Sequence, residues 1–156
     1  MISESAFVAQ GAKVVGAVDV GENTSIWYNA VIRGDRSRII IGNYTNIQDL
    51  VLIHSPESFP VRVGDYSSVG HGAKVHGAQI GDNSLIGMSA ILMNGVKVGD
   101  NCLVAAASVV VEATVVPDGS LFAGSPARMI RKLSNEEIES IRQNAIEYVS
   151  LSKNVR

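Results

Sequence analysis

Aliphatic residues return every six positions along most of this chain. The series Ile2, Val8, Val14, Val20, Ile26, Ile32 runs unbroken. It resumes after one slip at Ile41, Ile47 and Ile53, and after a second at Val63, Val69 and Val75. A one-residue deletion then leads to Ile80, Ile86, Leu92, Val98, Val104, Val110, Val116 and Phe122. A second column stands four residues after each leader and is mostly small, as at Ala12, Thr24, Ala30, Thr45, Ser67, Ala73, Ser84, Ala90, Cys102 and Ser108. Its exceptions Arg36, Glu57 and Gln79 coincide with the breaks in register, and Pro126 stands at the end. Chance does not confine exceptions to register breaks, so the period is structural. Gly21, Gly42, Gly64, Gly81 and Gly99 follow leaders, with Asn23, Asn83 and Asn101 two residues later. Gly and Asn tolerate the left-handed backbone of tight corners.

A period of six fits neither a helix nor a plain strand. It marks a hexapeptide β-helix, in which three hexapeptides, about 18 residues, make one triangular coil. The roughly 20 hexapeptides between residue 2 and about 125 give an all-β solenoid of six to seven coils. Composition agrees: 21 Val and 15 Ile stand against 8 Leu, and aromatics are 5%. β-branched residues favour strands over helices, which excludes a helical bundle. A sandwich with aromatic anchors fits poorly.

The pattern changes after Pro126. Ser134 followed by Glu137 is a capping box, and Ile138, Ile141, Ala145, Tyr148 and Val149 recur at helical spacing. These residues predict a helix over 135–151, packed on the side or end of the coils. The chain reads as one domain, with a repeat over 1–126 and a connector and helix over 127–156.

The net charge of −2 leaves no polycationic footprint for nucleic acid. No apolar run is long enough to span a membrane, and the N-terminus lacks a secretory pattern. Cys102 is the single cysteine, so neither an intrachain disulfide nor a CxxC metal site is expected. It fills a small slot of the repeat and reads as a packed core thiol. These features describe a cytoplasmic protein with a small, neutral substrate. Trp27 and Tyr28, beside a hexapeptide leader, read as cover for an interface.

The three histidines, His54, His71 and His76, lie within 23 residues. His54 follows the leader Ile53 and His76 follows Val75, three hexapeptides later. They should therefore share one corner of adjacent coils, about 4.8 Å apart along the axis, as two ligands of one metal would. His71 stands third in its hexapeptide and should project from another edge. The third ligand would then come from a neighbouring subunit, as a threefold homotrimer allows. Three His ligands with an open fourth position describe a catalytic zinc site.

Four segments carry a family resemblance: Ala30-Val-Ile-Arg-Gly-Asp35, Asn46-Ile-Gln-Asp49, Val51-Leu-Ile-His54 and Gly70-His-Gly-Ala-Lys-Val-His-Gly77. Over about 25–131, and more weakly through the terminal helix, the chain resembles the γ-class carbonic anhydrases. The resemblance implies a left-handed coil and reversible hydration of CO₂ to bicarbonate. It also implies a homotrimer with zinc, or iron or cobalt, at the subunit interfaces and a metal-bound hydroxide as nucleophile. His54, His71 and His76 match the ligands. Gln48 matches a residue that hydrogen-bonds the nucleophile or substrate, and Asn46 a polar neighbour. Arg33 and Asp35 match a pair tied to subunit contacts and site organisation, and Tyr148 an active-site tyrosine. A salt-bridge set between subunits is the alternative role for Arg33, Asp35 and Asp49.

The family prototype carries an acidic loop after its first histidine. Here the segment is short, Ser55-Pro-Glu-Ser-Phe-Pro60, and leaves Glu57 as the candidate for proton export, with Arg36 where another acid would stand. A rival reading is a CoA-dependent acyltransferase or acyl-CoA thioesterase, since Phe122-Ala-Gly-Ser-Pro-Ala-Arg128 resembles an end-of-coil motif of hexapeptide acyltransferases. A third is a non-catalytic, metal-binding scaffold.

Overall fold

Each third leader of the six-residue series faces the same way. In the computed structural model, which describes residues 1–155, the chain winds as a left-handed parallel β-helix with three faces. The first face aligns Val8, Ile26, Ile47, Val69, Ile86, Val104 and Phe122 in register. The second aligns Val14, Ile32, Ile53, Val75, Leu92 and Val110. The third aligns Val20, Ile41, Val63, Ile80, Val98 and Val116, and Ile2 bridges to Val20. From Val20 onward these leaders are buried and form one continuous core. Each fully buried Val or Ile contributes roughly 1.5–3 kcal/mol, so the ladders need no aromatic anchors. Ile2 and Val8, in the first described coil, are 43% and 41% exposed.

The small column is also explained by its neighbours. Thr24, Thr45, Ser67 and Ser84 stack inside one corner, each hydroxyl donating to a glycine carbonyl of the next coil at 2.7–2.8 Å. Each hydroxyl oxygen also accepts a backbone N–H from the next coil. Buried polar groups are tolerated when paired in this way. Cys102 continues the column, fully buried, and burial pushes its thiol pKa up.

All three register breaks fall on one edge. The long strand Val31–Ile41 runs past the corner between the second and third faces; its extra residues sit between Gly34, paired with Gly16, and Ile39, paired with Val18. The second break is the loop 55–60 one coil on, between the strands Leu52–His54 and Val61–Val63. The deletion, at Gly77 and Ala78, follows the strand Lys74–His76 on the next coil. The regular stack is thus interrupted along a single edge.

The last coil is closed by a hairpin that the sequence pattern did not announce. The strand Ala127–Lys132 turns back antiparallel on Ser120–Gly124, where only a connector was expected. The helix Asn135–Asn154 follows, three residues longer than its predicted end. Ser134 and Glu137 form the reciprocal capping box. The helix packs along the first face, against the strands Ser25–Ile26, Asn46–Ile47 and Ser68–Val69. Ile141 and Ala145 are buried there, and Arg142 lies 3.8 Å over the Tyr66 ring. Tyr148 meets Trp27 edge-on at 5.4 Å. Trp27 is therefore covered by the chain's own helix, at 8% exposure, which corrects its reading as interface cover; Tyr28 remains 40% exposed. Among the described residues no helix is long and apolar enough to cross a membrane.

Candidate metal centre

The residues singled out in the sequence gather at the two ends of the second face. At its far end, the strands Leu52–His54 and Lys74–His76 pair in parallel with His54 opposite His76. The register inferred from the repeat phase is therefore the observed one. His54 Nδ1 and His76 Nε2 face each other at 3.1 Å, with ring centroids 5.0 Å apart. Arg33 pairs with His54 on the preceding coil, and Arg33 and Asp35 form an ion pair. His54 Nε2–H donates to Asp35 Oδ1 at 3.1 Å. Desolvation works against the Asp35 charge, but hydrogen bonds from Arg33 and His54 outweigh it and hold the carboxyl below its ordinary range.

The proton arithmetic of this pair is informative. His54 spends its N–H on Asp35, and His76 Nδ1–H donates to Asn94 Oδ1 at 2.8 Å. A neutral imidazole carries one N–H and one lone pair. Both inner nitrogens are then bare lone pairs pointed at each other at 3.1 Å. Such a pair is stable only with a cation, metal or proton, between them. Outer N–H groups on oxygen acceptors and inner lone pairs on a shared point are the arrangement of metal-ligating histidines. The donor set fits zinc, and it also suits iron or cobalt.

The near end of the face holds the other group. His71 follows the strand Ser68–Val69, and its Nδ1–H donates to Asp49 Oδ2 at 2.9 Å. Its Nε2 is thereby also left as a lone pair, on a ring 46% exposed. Gln48 is buried beside it and accepts the His71 backbone N–H at 3.1 Å. Gln48 Nε2 donates to Asn46 Oδ1 at 3.0 Å, and Asn46 in turn donates to Ser68 Oγ at 2.8 Å. Asn144 of the helix reaches the same hydroxyl at 2.9 Å. Gln48 therefore retains one unspent N–H. Tyr148 is half-buried, and burial followed by the nearby Asp49 charge raises its pKa, so its hydroxyl stays protonated at neutral pH. Gln48, His71, Asn144 and Tyr148 line a cleft of about 480 Å³ whose other wall is apolar, with Leu85, Met88 and Leu103.

Within one chain the two groups do not meet. Among the described residues no three groups capable of holding a metal converge. His54, His76, Arg33 and Asp35 stand together, as do His71, Gln48, Asn46 and Tyr148. Glu57 is exposed in the loop 55–60. That loop folds over the corner just after His76, with Phe59 and Pro56 against Gly77. The sequence reading missed Asn94 and Asn144. Asn144 leaves a signal, a polar residue among the buried positions of the helix, whereas Asn94 leaves none, because Asn is common at coil corners.

Comparison with known proteins narrows the chemistry. Residues 77–112 match the family model for the bacterial transferase hexapeptide (six repeats), and residues 60–88 that for the hexapeptide repeat of succinyl-transferase. The chain is 56% identical over 153 residues to a protein of Methanocaldococcus jannaschii named probable carbonic anhydrase, covering 98% of this chain and 96% of that one. It is 41% identical to the mitochondrial gamma carbonic anhydrase 2 of Arabidopsis thaliana, covering 98% of this chain and 57% of the plant protein. Among solved structures, a hexapeptide transferase family protein from Anaplasma phagocytophilum superposes with a TM-score of 0.95 at 34% identity, over 98% of this chain and 90% of that one.

Proposed function

Since this chain belongs to the γ-class carbonic anhydrase-like family of hexapeptide-repeat proteins, we propose that it catalyses the reversible hydration of CO₂ to bicarbonate as a homotrimer. His54 and His76 of one subunit and His71 of the next would hold zinc, or iron or cobalt, giving three equivalent sites. The observation that carries this reading is the placement of two incomplete ligand groups at opposite ends of one prism face. One group turns two bare imidazole nitrogens toward a shared point, and the other leaves one bare nitrogen on a partly exposed ring. A threefold assembly brings one end of a subunit against the other end of its neighbour.

A divalent cation in such a site is a Lewis acid that lowers the pKa of a bound water to about 7. The chain's own residues hold and position. Asp35 and Asp49 fix the imidazole tautomers of His54 and His71. Gln48, with both amide ends engaged, lines the cleft and keeps one N–H with which it would orient an oxygen of the reactants. The apolar wall suits neutral CO₂. Each turnover consumes CO₂ and water and yields bicarbonate and a proton. Glu57 accepts that proton and passes it to solvent. The test is CO₂ hydration by metal-loaded protein beside His54→Ala. A wild-type rate no higher than the variant's, with metal confirmed bound, would overturn the reading.

The size of the cleft favours a second reading. About 480 Å³ exceeds what CO₂ requires, and the similar structure from Anaplasma phagocytophilum is named a hexapeptide transferase family protein. An acyl-CoA transferase or thioesterase would use the apolar wall for the acyl arm. Saturable acetyl-CoA binding by metal-free protein would support it. Retained metal and assembly without either activity would leave a metal-binding scaffold.

A further inference from the structure

The histidine whose outer partner is not a carboxylate is His76. Its Nδ1–H is taken by Asn94 Oδ1 at 2.8 Å, one coil further along the edge. The contact is built into the backbone. Asn94 is held by its neighbours, with Ala113 N–H donating to its carbonyl at 3.0 Å and Gly95 N–H to the Gly77 carbonyl at 2.9 Å. Residue 77 must also lack a side chain: a Cβ there would stand 2.7 Å from Asn94 Oδ1 and 2.8 Å from Phe59 Cβ. Gly77 also has φ of +63°, a left-handed value that glycine adopts without strain. The one-residue deletion therefore does more than shorten a corner. It places a glycine where the next coil's amide must pass to reach the imidazole.

We propose that Asn94 is the positioning residue for His76, holding its ring as the Nδ1–H tautomer so that Nε2 offers its lone pair to the cation shared with His54. The role rests on the metal-centre reading above. Asp35 and Asp49 do the same for His54 and His71, but as anions. Asn94 orients His76 without adding charge. An acid at this position should tighten metal binding, and loss of the acceptor should weaken it.

The experiment measures Zn²⁺ affinity by competition with a chromophoric chelator, for wild type, Asn94→Ala and Asn94→Asp. Asn94→Ala should bind roughly 10–100-fold more weakly, as loss of such a partner costs elsewhere; Asn94→Asp should bind at least as tightly as wild type. Asn94→Leu, which fills the same space without an acceptor, should share the loss and replaces Asn94→Ala where that variant misfolds. ¹⁵N NMR of zinc-loaded wild type should report His76 as the Nδ1–H tautomer. Affinity of the Ala and Leu variants within about twofold of wild type, or an Nε2–H His76, would overturn the role while leaving the metal centre standing. Failure of wild type to bind zinc, iron or cobalt would remove the metal centre and this role together.

Discussion

Mixing two inactive variants of this chain should restore activity. His71→Ala keeps the His54–His76 pair, and a His54→Ala, His76→Ala double variant keeps His71. If each metal centre draws two ligands from one subunit and the third from the next, either variant alone has no complete site. A 1:1 mixture that has exchanged subunits forms a complete site only where a His71→Ala chain precedes a double-variant chain around the ring. Each condition holds with a chance of one half, so about one site in four is intact. Every mixed trimer then contains one working site of its three. The assay is subunit exchange followed by metal analysis and CO₂ hydration, with the unmixed variants as controls. Recovery of about a quarter of wild-type metal and rate is expected. No recovery after demonstrated exchange would refute the shared-site reasoning, and so would metal retained by His71→Ala alone.

Other perturbations test the coil stack. Ile86→Ala removes a fully buried side chain from the middle of the first-face ladder and should cost about 2–5 kcal/mol in denaturant unfolding. Val8→Ala, at the open first coil and 41% exposed, should cost within about 0.5 kcal/mol. Gly81→Ala would put a Cβ 2.3 Å from Asp100 Oδ1 and 2.7 Å from Gly99 backbone, and the overpacking should lower stability by roughly 1–3 kcal/mol. The terminal helix should loosen in acid. Hydrogen bonds from Arg131, then from the Ser134 backbone, pull the Glu137 carboxyl from 4.5 to about 2. A lowered folded-state pKa contributes stability that is complete above 4.5 and is lost as pH falls toward 2. Circular dichroism at 222 nm should fall over that window in wild type, and Glu137→Gln should flatten the change.

The register of His54 against His76 was legible before any coordinates because a solenoid is nearly one-dimensional. Counting hexapeptides between two residues places them on the prism, and the one break between residues 53 and 75, the loop 55–60, did not disturb the count. The hydroxyl column from Thr24 to Ser84 was visible as small residues, although its hydrogen bonds were not. Asp35 was known only through family likeness, and its contact with His54 crosses an irregular stretch whose path no period describes. The hairpin at Ala127–Lys132 escaped because its strand, paired antiparallel at the end of the stack, follows no six-residue rule.

The amino-acid sequence by itself determined the coil, its number of turns, the capped helix and the corner shared by two histidines. Those features follow from repetition and local backbone preference, which are written residue by residue. Only the tertiary structure decided that all three register breaks lie on one edge, that the helix covers the first face and seals Trp27, and that each imidazole has an oxygen acceptor on its outer nitrogen. These depend on contacts between coils 18–22 residues apart, where the direction of a side chain, rather than its spacing along the chain, sets what it touches.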